Sequence, residues 1–228
     1  MDRLNENLPL LHKSNELKSD MFMIKPNKNR IASNDIQMFI RDPTKFAQIN
    51  TISADRMTRI SELPEESKIQ FIKIEDNTYE IEYINDIDSS DNNQSLNSYI
   101  LGYNASNPSN QHPAYLDIPK VAKNTKFLFT GTLSGCSIIV TELNADTYRV
   151  YHDGRVNSSI LYENVIMAID YSDYRVSGRD EGLAVAYMQY HNGSWQLILQ
   201  KQEYKIRYGI PIPTLRDGKR SLEIYYPD

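Results

Sequence analysis

The chain reads as an α+β protein, a mostly antiparallel or mixed β-sheet sandwich with helices packed around it. Three observations predict this class. The second half of the sequence is a succession of short stretches in which apolar and polar residues alternate, the period of half-buried strands. Within it, "HNGS" (His191 to Ser194) places Asn-Gly between two apolar runs, a strong local signal for a tight hairpin. The candidate helices, in contrast, gather in the first third of the chain.

Residues 1–33 are polar and expected to be partly irregular. "NDIQMFIRDPTKFAQIN" (Asn34 to Asn50) reads as helix broken near Pro43, with Asn34 or Asp35 as N-cap. "SADRMTRISEL" (Ser53 to Leu63) has a serine cap and reads as a second short helix. "KIQFIKIEDNTYEIEYI" (Lys68 to Ile84) alternates around Asp76-Asn77 and predicts a hairpin. Asn85 to Asn97 and Asn104 to Pro113 are rich in turn residues and read as long loops. Strands follow at Lys126–Thr130, Cys136–Leu143, Thr147–His152 and Tyr162–Tyr171, then on both sides of "HNGS". Sixteen tyrosines, many on these segments, suit half-buried sheet surfaces. Neither long loop has the character of a linker, so residues 1–228 are expected to form a single domain.

At 228 residues a single domain buries roughly 70% of the unfolded chain's surface and needs no metal or disulfide for stability. No window approaches the length of apolar sequence that spans a bilayer. The N-terminus lacks the apolar core and cleavage site of a secretory signal, so export would depend on other machinery. A net charge of −5 argues against direct nucleic-acid binding and membrane insertion. The charge is uneven: seven acids and no base between Glu75 and Asp91, six bases against two acids between Lys201 and Arg220. Both read as solvated surface, or, for the basic segment, as part of a docking face for an acidic partner. No Cys/His cluster has metal spacing and no glycine-rich phosphate loop is present, so no cofactor or metal is expected. A monomer is expected.

One cysteine cannot form an intramolecular disulfide, which suits a reducing cytosol and leaves the thiol free for chemistry. That residue, Cys136, follows "GTLSG", where Gly135 can adopt positive φ and the turn can aim successive N–H groups at one point. A three-residue loop at Asn144-Ala145-Asp146 would set Leu143 opposite Thr147 and His152 opposite Ile138. Cys136 and His152 would then form a diagonal pair on one face, about 7 to 8 Å apart at the backbone. A two-residue loop would put them on opposite faces. On this geometry Cys136 is either a nucleophile served by His152 or a small packed hydrophobe. His12, His112 and His191 lie in irregular or turn segments and serve less well.

The run "TGTLSGC", followed by a strand, a turn and "VYHDG", resembles the catalytic signature of the toxin glutamine deamidases. These are the family of Burkholderia lethal factor 1 and the cytotoxic necrotising factors. The match covers Leu133, Ser134, Gly135 and Cys136, with Thr130 six residues before the cysteine and His152 on the next strand. The close likeness extends over about thirty residues, with lethal factor 1 the nearer in chain length. The resemblance implies a deamidase-toxin-like fold and a bacterial virulence factor acting in the host cytosol. It implies a hydrolase in which Cys136 attacks a glutamine carboxamide and His152 moves the protons. N–H groups around Gly135 and Cys136 would hold the oxyanion, and Thr130 would orient the amide or brace the motif. The host substrate it implies is the DEAD-box helicase of translation initiation, whose deamidation would inhibit translation, or a Rho GTPase. Transglutamination keeps the same dyad. A different class of reading is a non-enzymatic β-sandwich interaction module with Cys136 buried and inert.

Overall fold

Helix α1 (Ser33–Arg41) places Ile36 and Phe39 on one face and ends at Asp42, which accepts a hydrogen bond from Lys45 N–H (2.9 Å) and caps α2 (Pro43–Ile49). Proline at the first helical position and aspartate before it explain the break. The structure, a computed structural model, describes residues 33–57, 66–84, 95–103, 113–179 and 181–227. The expected irregular start, most of both long loops and the greater part of the helix expected over Ser53–Leu63 lie outside the described residues. Ser53 itself is not a helix cap. It ends strand β1 (Thr51–Ser53), which pairs in parallel with β3.

The hairpin around Asp76-Asn77 forms as expected from β2 (Glu66–Glu75) and β3 (Thr78–Ile84), with Asn77 at φ 58° in the turn. Strands β4 (Leu96–Leu101) and β5 (Ala114–Pro119) flank the second long loop, so Leu96 and Asn97 belong to a strand rather than to the preceding loop. Then come β6 (Phe127–Thr130), β7 (Ser137–Glu142), β8 (Thr147–Asp153) and β9 (Val165–Ile169). The single-turn helix α3 (Tyr171–Tyr174) precedes β10 (Leu183–His191) and β11 (Ser194–Arg207), joined at Asn192-Gly193 with φ values of 51° and 87°. β12 (Ile210–Leu215) and β13 (Leu222–Tyr225) complete the chain.

Two sheets result. The larger runs β1-β3-β2-β4-β6-β10-β11-β12, with β13 also beside β11; β5-β8-β7-β9 form the smaller. Only β1/β3 and β4/β6 are parallel among the described pairs, so the mixed, mostly antiparallel expectation holds. The layers are helices, large sheet, small sheet. Alternation along β10 sorts side chains between two cores. Val185 and Tyr187 face the helices with Phe39, Phe46 and Phe71, while Ala184, Ala186 and Met188 face the small sheet with Ile138, Val140 and Val150. A strand buried on both faces reads as a continuous apolar run, as "LAVAYM" does.

The large sheet curls until its ends meet. Gln200 and Gln202 of β11 reach β1 and act as rungs: Ile52 N–H donates to Gln200 Oε1 (2.9 Å) and Gln202 Nε2 donates to Ile52 C=O (2.6 Å). Two buried amide side chains thus satisfy the backbone of β1 on the side away from β3.

Candidate functional site

The β7–β8 ladder has the register that the three-residue loop predicts: Ile138 pairs with His152, and Leu143 N–H donates to Thr147 C=O (3.1 Å). Gly135 has φ 116°, a conformation closed to residues with a Cβ, so the turn before Cys136 is as expected. Thr130 ends β6 in the large sheet and His152 lies on β8 in the small one. Its Oγ1 lies 2.5 Å from His152 Nδ1, a polar contact across the gap between sheets. Cys136, Thr130 and His152 therefore do gather in one region, with Leu133 pinned by an isolated bridge to Ala184 of β10.

What surrounds them is decided by residues the sequence reading missed. The Tyr103 ring stacks on His152 with centroids 4.4 Å apart, and its hydroxyl hydrogen-bonds the Cys136 thiol. Gly154 leaves room for that ring, since a Cβ there would lie 3.1 Å from the Tyr103 hydroxyl oxygen. The Tyr174 hydroxyl accepts from Gly135 N–H and donates to Cys136 C=O, both at 2.8 Å. The amide expected to face an oxyanion is thus already bonded. Asp153, next to His152, is held by Arg155 (Nη2 to Oδ2, 2.6 Å) and by the Tyr162 hydroxyl (2.8 Å). Burial pushes its carboxyl up, but these bonds outweigh it and leave the group below its usual range. Pairing signals in the sequence could have found none of these tyrosines, because each comes from a separate element.

Burial sets the chemistry. Cys136 is 4% exposed within the apolar core between the sheets, and burial pushes its thiol above its ordinary range despite hydrogen bonds from Ser134 backbone and Tyr103. His152 is 1% exposed, and burial lowers it to about 3, against the pull of Asp153. Its Nε2 has no partner among the described residues. At neutral pH burial favours the uncharged thiol and the neutral imidazole, and the surrounding packing shields the sulfur from solvent. The site is a packed polar seam. Among the described residues no cluster of acids, histidines and cysteine could hold a metal, and no helix is long and apolar enough to cross a membrane.

A family model described as the Mcf1 activator-binding domain matches residues 33–228. No curated protein matches the chain. This match overturns the resemblance to the toxin glutamine deamidases, which rested on a four-residue motif, a threonine and a histidine. With it fall the protein-glutamine deamidase activity, the cysteine hydrolase assignment and its transglutaminase variant, and the inhibition of translation through a helicase or Rho-type substrate. The burial of sulfur and imidazole agrees with that correction. The β-rich α+β architecture stands, while its deamidase-like version has lost the resemblance that implied it. A binding role, the alternative left open by the residues, fits the match, and a protein is the kind of partner it indicates. The chain belongs to the Mcf1 activator-binding domain family.

Proposed function

We propose that this chain is a non-catalytic protein-binding module whose surface receives an activating protein partner. The observation that carries this reading is the family match over residues 33–228. The chemistry of the polar seam supports it. A buried thiol hydrogen-bonded to a tyrosine and a neutral histidine stacked beneath the same ring serve to join two sheets. Polar groups there keep the packing specific without offering a nucleophile to solvent.

Two measurements test this reading. A partner isolated with the immobilised chain and then purified should bind it saturably by calorimetry, and Cys136→Ser should bind equally well. In parallel, alkylation of native Cys136 should be slow at pH 7 and accelerate only as the fold opens in denaturant. Failure to reconstitute binding with any purified partner would defeat the proposal. So would rapid alkylation at neutral pH joined to Cys136-dependent ammonia release from the partner.

A further inference from the structure

Resting on that reading, we infer that the partner docks as an added β-strand on the open edge of β11. The occupant is an extended segment, apolar at alternate positions and carrying carboxylates. The ladder between β10 and β11 stops at Leu183–Gln202, but β11 continues to Arg207, and among the described residues only β12 pairs with this stretch. Arg216 N–H donates to Lys201 C=O (3.1 Å) on the β12 side, so the backbone groups of odd-numbered β11 residues face β12. Those of Tyr204 and Ile206 therefore face the other way. The prolines of β12 agree: Pro213 is opposite Tyr204 and Pro211 opposite Ile206, positions where no N–H is needed between the strands. No backbone hydrogen bond reaches Tyr204 or Ile206 on the open side among the described residues.

The same prolines blunt the far edge of β12, where they remove the N–H groups an added strand would need. Among the described residues nothing comparable protects β11 on its open side. Tyr204, Ile206 and Tyr208 are 46%, 70% and 99% exposed, an apolar row along this segment. Side chains of an incoming strand would pair with such a row. Beside it runs a groove of about 1040 Å³ between Gln202–Tyr204 and a wall that includes Arg175, Arg179, Glu181 and Leu183. Its wall carries Arg175 and Arg179, exposed and without an ion pair among the described residues. Of the acids lining it among the described residues, Glu203 is paired with Lys205 (3.2 Å) and Asp217 with Arg216 (3.9 Å), which leaves Glu181 beside the two arginines. Carboxylates on the incoming segment complete this charge pattern.

The probe is a synthetic peptide of about ten residues alternating valine with glutamate and threonine, titrated into the isotopically labelled chain and followed by amide NMR. Tyr204 and Ile206 amides should shift saturably. Ile206→Pro, which removes one open-side N–H and leaves the β12 ladder intact, should abolish the shift at the Tyr204 amide. Arg175→Glu with Arg179→Glu, which leaves the backbone untouched, should weaken binding about tenfold. The absence of shifts at these two amides in the wild type, or a Tyr204 shift unchanged in both variants, would overturn the proposal. A wild-type dimer in sedimentation that Ile206→Pro dissociates would also overturn it, making a second copy the occupant. The purified partner separates the two levels. Full partner binding retained by Ile206→Pro removes the edge and keeps the binding module, whereas no binding even to wild type removes the module itself.

Discussion

Two buried groups give this protein opposing responses to acid. Glu80, 5% exposed on β3, accepts from Arg56 N–H (2.9 Å), yet burial raises its carboxyl to about 7. The folded carboxyl keeps a proton that the unfolded one has released, so Glu80 adds stability as pH falls from about 7 towards 4.5. His152 acts in the opposite direction. Below about pH 6.5 the unfolded ring takes a proton that the buried ring refuses until about 3, so stability is lost as pH falls through that window. Each slope is about 1.4 kcal/mol per pH unit, and between pH 4.5 and 6.5 they largely cancel. Urea unfolding at pH 5 and pH 6.5 should therefore show Glu80→Gln losing stability in acid and His152→Gln gaining it. Equal acid responses in the two variants would contradict this assignment. The sequence showed that Cys136 and His152 could converge if the loop had three residues and that Gly135 could take the positive φ it adopts. It could not show the protonation states, which follow from burial by distant strands.

At the scale of elements, what was legible is what acts over a few residues. The Asn192-Gly193 turn and the parity of the Asn144–Asp146 loop each determine a register locally; the first ladder formed as expected, and the second took the three-residue one of the two registers left open. β12, which the sequence reading did not place, holds Pro211 and Pro213, since an edge strand accepts proline wherever no N–H enters the ladder. β1 was hidden because its stability comes from Gln200 and Gln202, some 150 positions away. Gln200 also donates to Ala47 C=O (2.8 Å) and Asn50 C=O (2.9 Å). Gln200→Ala would leave three backbone groups without this partner, and an orphaned buried group costs about 1–3 kcal/mol. A loss of at least about 3 kcal/mol is expected, with faster amide exchange at Ile52. A near-neutral result would show that β1 needs no such rungs.

For the whole molecule, the three layers divide the apolar residues into two cores on either face of the large sheet. Phe39 anchors the helix layer, with its ring within 6.0 Å of Phe46, Phe71, Phe127, Phe129 and Tyr187. Phe39→Ala should cost about 3–5 kcal/mol in chemical denaturation, while Met38→Ala, at a half-exposed neighbour, should stay within about 0.5 kcal/mol. Comparable losses would mean that the helices pack less selectively than their faces indicate. Taken alone, the sequence determined the class, most strand periods and the Asn-Gly turn, and made a meeting of Cys136 and His152 conditional on a three-residue loop, because alternation and turn chemistry act between near neighbours. Only the tertiary structure decided that this meeting place is sealed and that the Gly135 amide already bonds Tyr174. It alone showed that, among the described residues, β11 beyond Gln202 pairs with β12 and with no strand on its other side. Those outcomes depend on which distant residues exclude water and complete hydrogen bonds, as Tyr174 does from 38 positions beyond Cys136.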